Sequence, residues 1–329
     1  MKRFLRNVFL FVGLPVIALV AVSAVVHARY FARMFTLPAQ TDVLFVGDSQ
    51  VVYNIHRSFF PDAVNLAVYS EPHYVSLIKT RHALRMGKGR PAAVVTGLGP
   101  HAPAAFCNTG DAPGSYPYNR VRFFPLMVTS SEMWTLFAPE DTLAARMKDL
   151  LTGAYNMVLN TRVALKARKG KGDYISGFLD QDDSLFISKP GVPFVAAEIE
   201  RHYGRKDPVY RTKDAVHERV ILEQIQVCRA AGAEMVFVQM PCHAAYLAGV
   251  PHDVRARYDE VVAFILAEGG ICLDYRDAPL ADEHYYDGNH LNTRGSKILG
   301  ERLKKDIEAM NGAGSSRGMP EADGNRSSL

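Results

Sequence analysis

Three side chains in this sequence could together move an acyl group: Ser49, Asp287 and His290. A hydroxyl is a poor nucleophile near neutral pH unless a base takes its proton. An imidazole is such a base, and a carboxylate on its far nitrogen fixes the tautomer and stabilises the charged form. In "YYDGNHLNTRG" (285–295), Asp287 and His290 stand three apart. On a turn or a first helical step that spacing brings both side chains to one side. Ser49 lies in "LFVGDSQVVYN" (44–54), just after an apolar run, and Gly47 permits a tight turn there. A serine at a strand-to-helix junction can project its hydroxyl above a sheet edge, with backbone N–H groups facing an anion. Each piece also has an ordinary reading: Ser49 as a plain helix N-cap, and His290 as a surface histidine beside an aspartate.

The elements that must join these pieces follow from the apolar pattern. Apolar runs alternate with amphipathic stretches, which predicts a parallel sheet covered by helices. Strands are expected at 42–47, 63–68, 91–99, 233–241 and 270–275. Helical spacing covers 73–86, 214–230, 253–267 and 293–310, the last capped by Asn292 or Thr293. In a doubly wound sheet, the loops after the first and fifth strands lie at the carboxyl edge, so Ser49 and His290 can meet there. Residues 100–213 interrupt the rhythm, with Trp134 and a helical pattern around 139–165. A stretch this long is not plain loop in a compact domain. It reads as an insertion over the carboxyl edge. The division is therefore an N-terminal basic stretch and anchor (1–33), an α/β domain (34–310) with that insertion, and a polar, disordered tail (311–329).

Residues 8–26, "VFLFVGLPVIALVAVSAVV", carry no charge, and their length matches a bilayer's hydrocarbon core. Lys2, Arg3 and Arg6 precede them; Arg29 and Arg33 follow. The expectation is a single-pass cytoplasmic-membrane protein with its large domain on the periplasmic or extracytoplasmic side. A cleavage site after Ala28 and a buried core helix are the alternatives. Net charge is +4, partly from "KARKGKG" (166–172), and no long basic face interleaved with aromatics occurs, which argues against nucleic-acid binding. Cys107, Cys228, Cys242 and Cys272 form no CxxC pair, so a zinc or redox motif is not expected. They read as small buried hydrophobes, with a Cys107–Cys242 disulfide as an alternative. Asp180, Asp182 and Asp183 miss the calcium-loop spacing, and no metal or cofactor is expected. Asp48 reads as structural, bonding to neighbouring loop amides; Glu71 and His73 are further candidates for the site lining.

"GDS" (47–49) after an early buried strand, with "DGNHLNTRG" (287–295) before the last helix, resembles the SGNH (GDSL-type) hydrolase family. "NLAVYS" (65–70) and "VVTGLGPH" (94–101) stand where its middle blocks belong. "FVQMPCHAAY" (237–246) resembles the membrane-anchored branch, which includes alginate O-acetyltransferase-like and D-alanine transfer proteins. The resemblance implies a flavodoxin-like three-layer fold with Ser49 as nucleophile, His290 as general base and acid, and Asp287 as its orienter. It implies an oxyanion hole begun by the Ser49 N–H. The family's second donor is a glycine N–H, and Ala67 stands at that position. Its third is an asparagine, which is missing here; His101 or the Gly99 N–H would have to substitute. His243, after "MPC", could reach the same edge and touch substrate, or face solvent as a loop residue.

The resulting expectation is an esterase or O-acyltransferase, with acetyl the leading acyl group. It would act on a cell-envelope or extracellular polysaccharide, with a membrane O-acyltransferase as partner. A non-catalytic binding or assembly component of the same machinery, and a lipase or thioesterase, are the competing readings.

Overall fold

The computed structural model describes residues 1–34, 36–68, 71, 73–102, 158, 192–203 and 215–315. Trp134, the helical pattern at 139–165 apart from Val158, Cys107 and the 180–183 acidic stretch lie outside them.

Five strands form one sheet: β1 (Val43–Val46), β2 (Val64–Asn65), β3 (Ala93–Leu98), β4 (Glu234–Gln239) and β5 (Ile271–Asp274). Their order is β2-β1-β3-β4-β5 and every pairing is parallel. All five lie within the stretches expected from the apolar runs. Side chains alternate across a strand, and here the alternation divides the core in two. Leu44 and Val46 face one buried cluster with Val94, Phe237 and the helices α4 (His73–Met86), α6 (Ala215–Ala230) and α8 (His252–Ala267). Val43 and Phe45 face the other, with Val95, Val236 and the helices α3 (Ser49–Asn54) and α9 (Thr293–Ser315). Burying each large apolar side chain contributes about 2 kcal/mol, so both helical layers are held by their apolar stripes.

The strand order reverses between β1 and β3, and a crevice opens at the carboxyl ends of such neighbours. The segment after β1 enters α3 there. Gly47 has φ +128, and a Cβ on it would stand 2.9 Å from both Thr96 Oγ1 and Val51 Cγ2. Glycine therefore satisfies both the backbone conformation and the close approach of β3. Asp48 caps α3, its carboxylate accepting the Gln50 N–H at 2.9 Å. The cap is thus Asp48 rather than Ser49, and the Ser49 hydroxyl is not committed to capping.

Before the sheet, α1 (Lys2–Val8) and α2 (Leu14–Met34) are joined by a π-helical turn. Lys2–Arg29 is the one stretch among the described residues long and apolar enough to cross a membrane. Phe11, Val16, Ile17, Leu19 and Val22 are exposed along it, which is not the surface of a core helix.

One expectation is corrected. Helix α9 continues to Ser315, so the tail does not begin at 311. Within the expected insertion, α5 (Val192–Tyr203) is helical. It packs through Val195 and Tyr203 against Tyr246, on α7 (Ala244–Gly249).

Candidate functional site

The turn bearing Asp287 and His290 is closed by its own backbone. The His290 carbonyl accepts the Tyr286 N–H at 2.9 Å, and Asp287 Oδ1 accepts the N–H groups of Asn289 and His290 at 3.1 and 2.8 Å. This local wrap explains the spacing of three: the carboxylate that builds the turn also faces the imidazole. Asn292 then starts α9, its Oδ1 accepting the Arg294 and Gly295 N–H groups.

The His290 Nδ1 lies 2.9 and 2.8 Å from the two Asp287 carboxylate oxygens. Its Nε2 lies 2.8 Å from Ser49 Oγ. With the Nδ1 proton donated to Asp287, the Nε2 lone pair accepts from the serine hydroxyl. Burial alone would raise the Asp287 carboxyl. The hydrogen bond and charge of His290, the Asn289 N–H and a hydrogen bond with Glu198 together hold it below its ordinary value. The arrangement can therefore take a proton from Ser49 while a fixed negative charge faces the developing imidazolium.

Helix α3 holds this turn in place. The Asn54 Oδ1 accepts the Leu291 N–H at 2.8 Å, and the Gln50 Nε2 donates to the Asn289 carbonyl at 3.3 Å. Both side chains are fully buried, and they grip the chain on either side of His290. The imidazole also meets the edge of the Tyr53 ring at 5.0 Å, and Tyr286 stacks on Tyr53.

The expected accessory residues are placed otherwise. The Ala67 N–H donates to Asn65 Oδ1 at 2.8 Å, so it is already engaged and does not face an oxyanion. His101 turns its Nε2 to the Asp48 carboxylate at 2.9 Å; it supports the α3 cap rather than substituting for an oxyanion donor. Burial raises Asp48, but His101 and the Gln50 N–H outweigh this and leave it below its ordinary value, in line with a structural role. Gly99 is packed under Gln50: a Cβ there would lie 2.3 Å from Gln50 Oε1. The Ser49 N–H, first in its helix, has no partner within the helix ladder. His243 is a cap: its Nδ1 accepts the Ala245 N–H at 3.2 Å and its Nε2 meets Asp282 at 3.1 Å. Both ring nitrogens are thus engaged, one by the cap and one by an exposed carboxylate.

Glu71 is buried against Lys79 and accepts the Ser76 hydroxyl at 2.7 Å, so it does not line the site. His73 is buried and stacks on His217 at 4.9 Å. Burial lowers both imidazoles, His73 to about 4. Cys228, Cys242 and Cys272 are free thiols, and burial pushes Cys228 up to about 12 and Cys272 up to about 11.

One residue of the site went unseen in the sequence. Glu198, on α5, is buried and accepts the Gly288 N–H at 2.6 Å. Its carboxylate lies with those of Asp287 and the His290 imidazole, ligand atoms all within 4.8 Å, a grouping that could also hold a cation. The available signal was the apolar spacing Val195, Ile199, Tyr203, with Glu198 beside it on the buried stripe.

No protein-family model matches the sequence, and no curated protein matches it.

Proposed function

We propose that the protein is a serine-dependent acyl-transfer enzyme of the SGNH type, an esterase or O-acyltransferase. The observation that carries this reading is the unbroken chain from Ser49 Oγ through His290 to Asp287, at 2.8 Å on the serine side. His290 Nε2 takes the hydroxyl proton as Ser49 Oγ bonds to an ester carbonyl carbon. The tetrahedral oxyanion faces the Ser49 N–H. His290 then returns the proton to the leaving alcohol, the C–O bond breaks, and an acyl-serine remains. A water or a sugar hydroxyl attacks that ester by the same proton relay in reverse order.

A helix long and apolar enough to cross a membrane, with Lys2, Arg3 and Arg6 at its start, supports an extracytoplasmic setting for the domain that follows, where envelope or extracellular polysaccharide supplies both esters and acceptor hydroxyls. In this reading acetyl is the acyl group, and a membrane O-acyltransferase delivers it. The Tyr53–Tyr286 pair beside His290 suits a sugar ring, which stacks on aromatic faces.

The engaged Ala67 N–H and the His101–Asp48 bond favour a second reading. Each missing oxyanion donor costs roughly a hundredfold or more in turnover. A protein short of two would retain the fold as a binding or assembly component. Hydrolysis of p-nitrophenyl acetate by the full chain in detergent, against Ser49→Ala, separates the two. The enzyme reading expects the variant to fall to background, whereas equal rates favour the binding component.

A further inference from the structure

We propose that Lys79, partnered by Glu71, is a positioning residue for the nucleophile turn, bracing the chain after β2 from the layer opposite the serine helix. The catalytic consequence rests on the acyl-serine reading; the brace itself stands on separate contacts. Lys79 lies on α4, which packs in the buried cluster on one face of the sheet, whereas α3 packs in the cluster on the other. The Lys79 ammonium donates to the Leu66 backbone carbonyl and to the Glu71 carboxyl group. Glu71 also accepts the Ser76 hydroxyl at 2.7 Å, which ties it to the first turn of the same helix. The chain that Lys79 holds is itself bonded to the turn carrying Ser49. The Leu66 N–H donates to the Phe45 carbonyl at 2.8 Å, and the Val68 N–H to the Gly47 carbonyl at 2.9 Å. The Glu71 N–H then donates back to the Val68 carbonyl at 3.2 Å. Lys79 thus reaches, through Leu66 and Val68, the glycine that opens the Gly47-Asp48-Ser49 turn.

Stability alone does not account for a lysine at this place. Lys79 is fully buried and Glu71 is buried beside it. Lysine is almost never fully buried unless it is paired. Desolvation makes such a pair a weak source of stability, and a well-packed apolar pair of similar volume is often neutral or better. What an apolar pair cannot do is donate to the Leu66 carbonyl. That carbonyl follows the end of β2, the outer strand of the sheet beside β1. The donor fixes one path for the chain from Leu66 to Val68, and so one position for Gly47. With its φ of +128, Gly47 sets the direction in which Asp48 and Ser49 leave the sheet. Gln50 and Asn54 hold the histidine turn to α3, and Lys79 holds the wall on the other side of the serine. A looser wall moves Ser49 Oγ off the 2.8 Å line to His290 Nε2, and small misplacements of reacting groups are costly.

The test uses the full-length protein in detergent. The double variant Lys79→Met with Glu71→Leu removes the donor and its partner together, so no buried charge is stranded. It is expected to melt at or above the wild-type temperature. It is nonetheless expected to lose about tenfold in kcat for an activated acetyl ester, with little change in KM. Glu71→Gln keeps the Lys79 bond to Leu66, its amide oxygen facing the ammonium, and should hold kcat within about threefold of wild type. Hydrogen exchange in a peptide spanning 64–71 should be about tenfold faster in the double variant and near wild type in Glu71→Gln. Wild-type kcat in the folded double variant overturns the positioning role, and wild-type exchange there overturns the brace. If the double variant does not fold, Lys79→Gln with Glu71→Gln, whose shorter amide draws back from the Leu66 carbonyl, carries the same two measurements. If Ser49→Ala retains full activity, the acyl-serine reading fails, and the exchange measurement alone still decides the brace.

Discussion

Asn54 and Leu291 are joined by a hydrogen bond of 2.8 Å from the Leu291 N–H to the Asn54 side-chain oxygen. The sequence separates them by 237 positions. This contact fixes the end of the serine helix to the residue after His290, and so sets the distance across which the proton must pass.

Replacing Asn54 with Ala leaves a buried N–H without an acceptor. The expected cost is about 2 kcal/mol of stability. Because a small misplacement of reacting groups is costly, kcat should fall by about tenfold or more. Thermal denaturation and ester kinetics on the same preparation check both.

Asp287→Asn presents an amide N–H to His290 Nδ1, which then becomes the acceptor. The proton moves to Nε2 and faces Ser49, so the base is lost. A drop on the order of 10³- to 10⁴-fold in kcat is expected with the fold intact. Circular dichroism verifies the fold, and steady-state kinetics the loss.

His243→Ala should separate capping from catalysis. Loss of the cap on α7 costs about 1 kcal/mol. Because both ring nitrogens are occupied by Ala245 and Asp282, kcat/KM should change less than about threefold.

Acid should destabilise the fold through the His73–His217 stack. The folded His73 titrates near 4, below its ordinary 6.5, because burial disfavours its charged form. The unfolded chain therefore binds more protons in that window. The contribution is complete above 6.5 and is lost as pH falls toward 4, a loss of roughly 3 kcal/mol. His217 shifts in the same direction and adds to the effect. Melting temperature measured from about pH 7.5 to about pH 4.5 should fall, and His73→Leu should flatten the slope.

Much of this was legible because the signals were local. The five strands are short apolar runs with turn residues at their ends, and a buried parallel strand needs little more. The Asp287–His290 turn is likewise written in consecutive residues, with Asp287 bonding to the backbone of Asn289 and His290. The rest was tertiary. Gln50 and Asn54 read as ordinary helix residues until the 289–291 backbone is placed beside them. Glu198 sits in a stretch whose only pattern is a three-residue apolar stripe, and nothing in sequence spacing connects it to Gly288. The Ala67 assignment failed for a local reason: Asn65, two residues earlier, takes its N–H. Asp48 displaced Ser49 as the cap because the carboxylate reaches the Gln50 N–H from one position earlier.

The most direct measurement is the site of acyl attachment after a brief exposure to an activated acetyl ester, quenched in acid and mapped by peptide mass spectrometry. The account predicts acetyl on the Ser49 hydroxyl, with Asp287→Asn and His290→Gln each suppressing it. Modification elsewhere with Ser49 untouched, at a rate that none of these substitutions alters, would contradict it.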